Sequence, residues 1–222
     1  MENLKNYLKI LKEIGVEEII LPEGNTEMSE NKGLSLEEKQ KIFQKLNKIV
    51  QECKKCDLHL NRKQAVLGEG NLEAKLMFVG EAPGADEDRL GRPFVGRAGK
   101  LLTSLIEKAG HKREEFYISN ICKCRPPNNR TPLPDEMEAC FPYLEQQIDV
   151  INPKVLCLLG ATACYGFLKR PVKITKERGT VINWKDKLLV LTYHPAYALR
   201  NLSAVDILFE DIKKAIELAY SD

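Results

Sequence analysis

No apolar run in this chain reaches the length of a membrane span, and no charged-then-apolar leader opens it. These absences exclude an integral membrane helix and lead us to expect a soluble, intracellular (cytoplasmic) protein with no membrane partner. Two phosphate-gripping loops are also missing. There is no G-x-x-x-x-G-K-[ST], and no G-x-G-x-x-G opens a helix. A triphosphate or dinucleotide site of those kinds is therefore not expected. No internal repeat is visible. The chain also lacks a strong charge bias, since its formal net charge is only +2. That small figure conceals an asymmetry: residues 1–52 carry 8 basic and 10 acidic side chains, whereas residues 53–130 carry 15 basic and 10 acidic. A local basic excess can neutralise phosphates.

The chain is organised around residues 76–102. Leu76–Val79 is a short apolar run suited to a buried strand, and Gly80, Pro83 and Gly84 end it in a turn. An acidic loop follows, with Glu81, Asp86, Glu87 and Asp88, then Pro93-Phe94 and a small-residue turn, Gly96-Arg97-Ala98-Gly99. Leu101, Leu102, Leu105, Ile106 and Ala109 recur at helical spacing, with Gly110 as the stop. Strand, acidic loop, aromatic and helix start thus come in succession. In an open α/β sheet, ligands bind in the crevice beyond the carboxyl ends of the strands.

Taken in order, residues 2–14 read as an amphipathic helix and 22–34 as a polar linker. Ser35 and Glu38 form a capping box for a helix to about Glu52. Strands are expected at Leu76, at Phe116–Ser119 and at Val155–Leu159, with helices over 135–151 and up to about Leu168. Thr180–Trp184 and Leu188–Thr192 read as paired strands around a Lys-Asp turn, and Ser203 as the cap of a last helix. Alternating strands and helices imply an α/β fold, a three-layer α/β/α arrangement with a central, mostly parallel four-stranded sheet. An N-terminal helical extension over residues 1–34 would precede a single domain over 35–222.

The seven cysteines are an odd count in a chain read as intracellular, which favours metal binding or plain burial over disulfides. Cys53 and Cys56 form a C-x2-C pair; Cys122, Cys124 and Cys140 form a second group. Four thiolates suit zinc or an iron–sulfur cluster, and spacing alone leaves both open. Cys157 and Cys164 lie in apolar surroundings and read as core.

The segment 76–102 closely resembles motif 1 of the uracil-DNA glycosylase superfamily, in the form carried by its iron–sulfur family 4. The G-E-A-P-G, E-D, G-R-P-F-V-G and A-G-K-L-L elements are all present. The resemblance spans about residues 53–215. It implies a monofunctional enzyme that hydrolyses the N-glycosidic bond of flipped-out deoxyuridine in DNA, releasing free uracil and leaving an abasic site for base excision repair. It assigns a [4Fe-4S] cluster to Cys53, Cys56, Cys124 (within Lys123-Cys124-Arg125-Pro126-Pro127) and Cys140. Cys122 falls off the pattern and is expected on the strand's other face. The same resemblance makes Asn120 the uracil reader. A side-chain amide can donate to O4 and accept from N3–H, a pattern that cytosine reverses. Phe94 becomes the stacking ring, with Ala82 and Gly84 also at the base.

His194, in His-Pro-Ala, would donate to uracil O2 and stabilise the departing anion. Glu81 and Glu87 are the implied catalytic carboxylates, serving the sugar cation and the attacking water. Family 5 lacks the first acid, so Glu81 points to family 4; a Lys/Arg-rich insertion near the histidine, seen in covalently trapping relatives, is absent. On the DNA side we expect Arg97, Gly99, Arg125, Arg200 and an apolar wedge at Leu199. His59 and His111 have no comparable setting and are expected at the surface or in local packing. A monomer is expected, with a sliding clamp as a possible partner. Two other readings stand beside this one. The first is a zinc-bound nucleic-acid hydrolase using Asp86–Asp88 with Mg²⁺. The second is a cluster-bearing DNA-binding module with an inactive pocket.

Overall fold

A computed structural model describes residues 33–221. The helix expected over 2–14, and the arm 1–34 apart from Gly33 and Leu34, fall outside those residues. The first described helix, α1 (Leu36–Glu52), starts as its sequence dictates. Glu38 N–H donates to Ser35 Oγ at 3.3 Å, and Ser35 N–H donates back to Glu38 Oε2 at 2.8 Å. Its buried face is Ile42, Phe43, Leu46 and Val50.

Six strands form one sheet: β1 (Glu69–Gly70), β2 (Leu76–Gly80), β3 (Tyr117–Asn120), β4 (Val155–Leu159), β5 (Val181–Trp184) and β6 (Lys187–Thr192), in the order β1-β3-β2-β4-β6-β5. The four central strands β3, β2, β4 and β6 are mutually parallel. They are the four-stranded core read from the sequence. The expected count omits the two edges, which pair antiparallel. β1 is too short to leave a period-2 pattern, and β5 joins β6 through the anticipated Lys185-Asp186 turn. The second parallel strand begins at Tyr117 rather than Phe116 and takes in Asn120.

Seven further helices complete the described chain: α2 (Ala85–Leu90), α3 (Arg97–Lys108), α4 (Pro134–Ile151), α5 (Ala161–Leu168), α6 (Ile174–Glu177), α7 (Pro195–Ala198) and α8 (Ser203–Tyr220). Alternate residues of the strands supply two separate cores. Met77, Val79, Leu156, Leu158 and Leu191 join Leu46, Leu144, Ile148 and Phe167 on the face covered by α1, α4 and α5. Leu76, Phe78, Ile118, Leu159 and Val190 join Leu102, Ile106, Leu208 and Ile212 on the face covered by α3 and α8. The three layers follow from that alternation, and each such side chain, fully buried, contributes about 1.5–3 kcal/mol of transfer free energy.

Two local expectations are corrected. The acidic loop after β2 is a short helix, α2, whose capping residue Gly84 donates its N–H to Glu87 Oε2 at 3.1 Å. Ser203 does not cap α8; it lies within the helix, and its hydroxyl donates to Asn201 Oδ1 at 2.7 Å. No helix among the described residues is long and apolar enough to cross a membrane.

Candidate active site and a cysteine-lined cavity

The parallel strands bring their carboxyl ends to one edge of the sheet. Gly80 is level with Asn120 across β2 and β3, and Leu159 with Thr192 across β4 and β6. The residues that follow are Glu81, Gly160 and His194. A side chain at Gly80 would collide with Asn120 Oδ1 and would sit 2.5 Å from Phe94 Cζ. Both groups therefore press against the same point of the backbone, which only glycine permits. The Phe94 and His194 rings lie 5.7 Å apart between centroids, tilted by 30°. The reader amide, the ring and the imidazole named from the sequence are thus neighbours.

Asn120 is 2 % exposed, and its Oδ1 is a buried side-chain oxygen with no hydrogen-bond partner. A buried amide oxygen left unpaired costs about 1–3 kcal/mol, so it calls for a donor from outside the chain. Phe94 has φ 50°, a left-handed conformation unusual for a bulky residue. The surroundings hold it there. Arg113 donates to the Pro93 carbonyl at 2.6 Å, and Val95 and Gly96 N–H both donate to Glu87 Oε1 at 2.9 Å. On the far side Gly99 lets α3 close onto the Phe94 carbonyl, where any Cβ would overlap backbone atoms.

His194 is partly buried, and its Nδ1 accepts from Ala196 N–H at 3.0 Å. That bond assigns the neutral ring's proton to Nε2. Burial first, then the charge of Arg200, lower the imidazole pKa to about 4 against the opposing charge of Glu87. The ring is therefore a neutral donor at physiological pH. Glu81 is partly buried, and burial raises its carboxyl above the usual range against hydrogen bonds from Thr162 and Thr131. The two implied carboxylates are unlike in setting. Both oxygens of Glu87 are engaged by the backbone N–H groups of Gly84, Val95 and Gly96, so it holds the loop that carries Phe94. Glu81 instead has the hydroxyls of Thr131 and Thr162 beside it.

Ala82 and Gly84 lie between these two acids, both partly exposed. Arg97, Leu199 and Arg200 are exposed as expected, Leu199 by 41 %. Arg125 is half-buried and donates to Asn129 Oδ1 at 2.7 Å. Gly99, expected at the DNA surface, is instead buried beneath Phe94. The acid cluster does not converge: Asp88 is buried and accepts from Lys63 N–H at 2.9 Å, while Asp86 faces solvent and pairs with Arg89. Thr131 and Thr162 were not foreseen. Nothing in their sequence neighbourhood marks them, because their role depends on two loops meeting at Glu81.

A second feature lies on the α1/α4 face. Cys53, Cys56, Cys124 and Cys140 all line one small cavity, together with Arg62, His59, Tyr143 and Lys123. Among the described residues no three His, Cys, Asp or Glu side chains gather closely enough to share a single ion. Donors reach three of the sulfurs: Arg62 to Cys124 Sγ at 2.9 Å, Lys123 N–H to Cys140 Sγ at 3.2 Å and Lys55 N–H to Cys53 Sγ at 3.5 Å. Four cysteines on one cavity, with a guanidinium and backbone N–H groups donating to their sulfurs, are a donor set of the kind that holds a thiolate-bound group. Cys122 does not line the cavity, but it is not on another face either; it hydrogen-bonds Cys140, lowering that thiol's pKa. His59, expected at the surface or in local packing, contributes to the cavity wall. His111 packs on Phe116 and Tyr220 as expected, and Cys157 and Cys164 are core.

Comparison with known proteins matches residues 67–218 to the uracil DNA glycosylase superfamily model. A type-4 uracil-DNA glycosylase of Thermotoga maritima is 50 % identical over 181 residues, covering 80 % of this chain and 94 % of that protein. One from Sulfurisphaera tokodaii is 50 % identical over 186 residues, covering 80 % and 84 %. A type-5 enzyme of Pyrobaculum aerophilum is 31 % identical over 144 residues, covering 57 % and 63 %. With the Asn120 amide, the Phe94 ring and the His194 imidazole gathered at the sheet edge that the family motifs occupy, this chain belongs to the uracil-DNA glycosylase superfamily, in its type-4 family.

Proposed function

We propose that the protein removes uracil from DNA by hydrolysing the N-glycosidic bond and leaves an abasic site without cutting the strand. The observation that carries this reading is the unpaired, buried Asn120 Oδ1 beside the Phe94 ring. A uracil turned out of the helix offers that oxygen its N3–H, while the amide NH₂ meets O4. Cytosine presents an acceptor at N3 and a donor at C4, so both contacts turn repulsive; a buried polar mismatch of this kind discriminates by about 10⁴–10⁵. Stacking on Phe94 adds about 1–3 kcal/mol of non-specific hold.

As the bond breaks, negative charge gathers on uracil and positive charge on the sugar. His194 Nε2–H is the neutral donor for O2, and neutrality suits the role: the ring stabilises the anion without surrendering a proton. Glu81, oriented by Thr131 and Thr162, is the carboxylate for the sugar cation and its attacking water. Glu87 acts one step back, fixing the Phe94 loop. Exposed Arg97, Arg200 and Leu199 border the site as phosphate contacts and wedge.

Cys53, Cys56, Cys124 and Cys140 would hold a [4Fe-4S] cluster, supported by the cavity they share and the donors on their sulfurs. Bound there, the cluster supplies a cross-link between segments distant in sequence and a redox-active iron centre. The loop that follows Cys124 carries Thr131 to Glu81, which connects that cross-link to the site by structure rather than by chemistry.

The test is a duplex oligonucleotide with one deoxyuridine, incubated with the purified protein. Free uracil should appear, and the strand should break only after alkali. Direct strand scission, or no uracil release, would overturn the reading.

A further inference from the structure

Lys123 stands between the base-reading site and the cysteine cavity. It is 1 % exposed, and its ammonium donates to Ser119 Oγ at 2.6 Å, to the Asn120 carbonyl at 2.8 Å and to Gln147 Oε1 at 2.6 Å. Those acceptors are rigid. Gln147 is fully buried and donates to the Leu67 carbonyl at 2.8 Å and Tyr117 Oη at 3.0 Å. Each ammonium hydrogen has a partner, yet none of the three partners is a carboxylate. Enclosing an unbalanced charge costs several kcal/mol, a cost that a counter-charge within reach offsets. On its other side the same residue borders the cavity, with its backbone N–H on Cys140 Sγ. The negative charge available there would be that of the cysteine sulfurs when they hold a group as thiolates.

We propose that Lys123 is a positioning residue serving both sites: it anchors the strand end that aims the Asn120 amide, and it balances the charge of the thiolate-bound group. The first half rests on the uracil-reading role given to Asn120 above; the second does not. Lys123 touches no reacting atom. It acts through Asn120 on one side and through the cysteine cradle on the other, so the filling of the cradle is transmitted to base recognition by one side chain.

A double-mutant cycle tests the first half. Lys123→Met, Asn120→Ala and the double variant are made in the full chain, and single-turnover uracil release is measured on one oligonucleotide. Lys123→Met should slow release about tenfold, the scale of a lost charged hydrogen bond. The double variant should be no slower than Asn120→Ala alone. Losses that multiply would overturn action through Asn120. For the second half, iron release to a ferrous chelator is followed by absorbance. Lys123→Met should release iron several-fold faster than wild type, and Asn120→Ala at the wild-type rate; equal rates in all three would overturn the charge-balancing role. Should Lys123→Met fail to fold, Gln147→Met removes one acceptor and keeps the ammonium, and it enters the same cycle with the same expectation. A wild-type protein inert on deoxyuridine would sink the proposed function, while the iron-release comparison would still judge Lys123.

Discussion

Replacing Gly80 by alanine is the sharpest probe of the site, because it adds one methyl and removes nothing. Gly80 has an ordinary backbone conformation, absent from the positive-φ glycines, so alanine brings no torsional strain there. The new Cβ would lie 2.5 Å from Phe94 Cζ and 2.7 Å from Phe94 Cε2, and closer still to Asn120 Oδ1, where ordinary contact begins at 3.4 Å. Relief therefore requires a shift of about 1 Å. Phe94 is fixed at its backbone by Arg113, Glu87 and Gly99, and Asn120 by its β2 pairing and Lys123, so the displacement falls on the two side chains that grip the base. A misplacement of about 1 Å costs about 10²-fold in rate. Single-turnover release from a deoxyuridine oligonucleotide should fall by about that factor. Overpacking of a buried site costs roughly 1–3 kcal/mol, so the melting temperature should drop by several degrees without loss of the fold. Full-rate cleavage by a folded Gly80→Ala protein would refute the convergence of Asn120 and Phe94 on the substrate.

Asn120→Asp should lose its preference for uracil over cytosine, measured on matched oligonucleotides; unchanged selectivity would remove Asn120 as the reader. The acid limb of kcat/KM should belong to Glu81, since burial raises its carboxyl above 4.5 while His194 is already lowered to about 4. Activity should fall as pH falls through the raised carboxyl value, and Glu81→Gln should abolish that limb; a limb that persists in Glu81→Gln would contradict this. Glu81→Gln and Glu87→Gln should differ in kind: the first lowers kcat with little change in melting temperature, and the second lowers the melting temperature, because an amide keeps one acceptor oxygen for three backbone N–H groups and sets its NH₂ against at least one of them, a loss of about 1 kcal/mol or more. Equal effects of both on kcat alone would show that Glu87 shares the chemistry. Cys124→Ser should bleach the visible thiolate–iron absorbance and weaken uracil release together; full activity in a folded, colourless variant would separate the cavity from the site.

The parallel core was legible because its strands are apolar on both faces and end in glycine or polar residues, as at Leu76–Gly80 and Val155–Leu159. The gathering of Asn120, Phe94 and His194 at one place was legible because motifs carry all three. Other features left no local mark. β1 has two residues, too few for a periodicity, and α2 hides in a charge run whose helix is fixed by the reach of Glu87 to Gly84. Gly99 reads as a phosphate-binding turn until α3 is seen to close on the Phe94 carbonyl. The Thr131–Glu81–Thr162 contact joins residues that are 31 to 81 positions apart in sequence, and Lys123 reads as one more surface cation until its three buried acceptors are found. Pairings created by folding, rather than by neighbourhood in the chain, are what sequence patterns miss.

The parallel sheet also bears on how such a catalyst can diversify. The three duties proposed for its side chains fall on three separate segments: Glu81 follows β2, Asn120 closes β3 and His194 lies beyond β6. Drift in one segment leaves the others standing, so a descendant can exchange its base preference at β3 without rebuilding the leaving-group donor. Phe94 and Glu87 share a single crossover and are mutually dependent through Val95 and Gly96. Those two are inherited or lost as a pair.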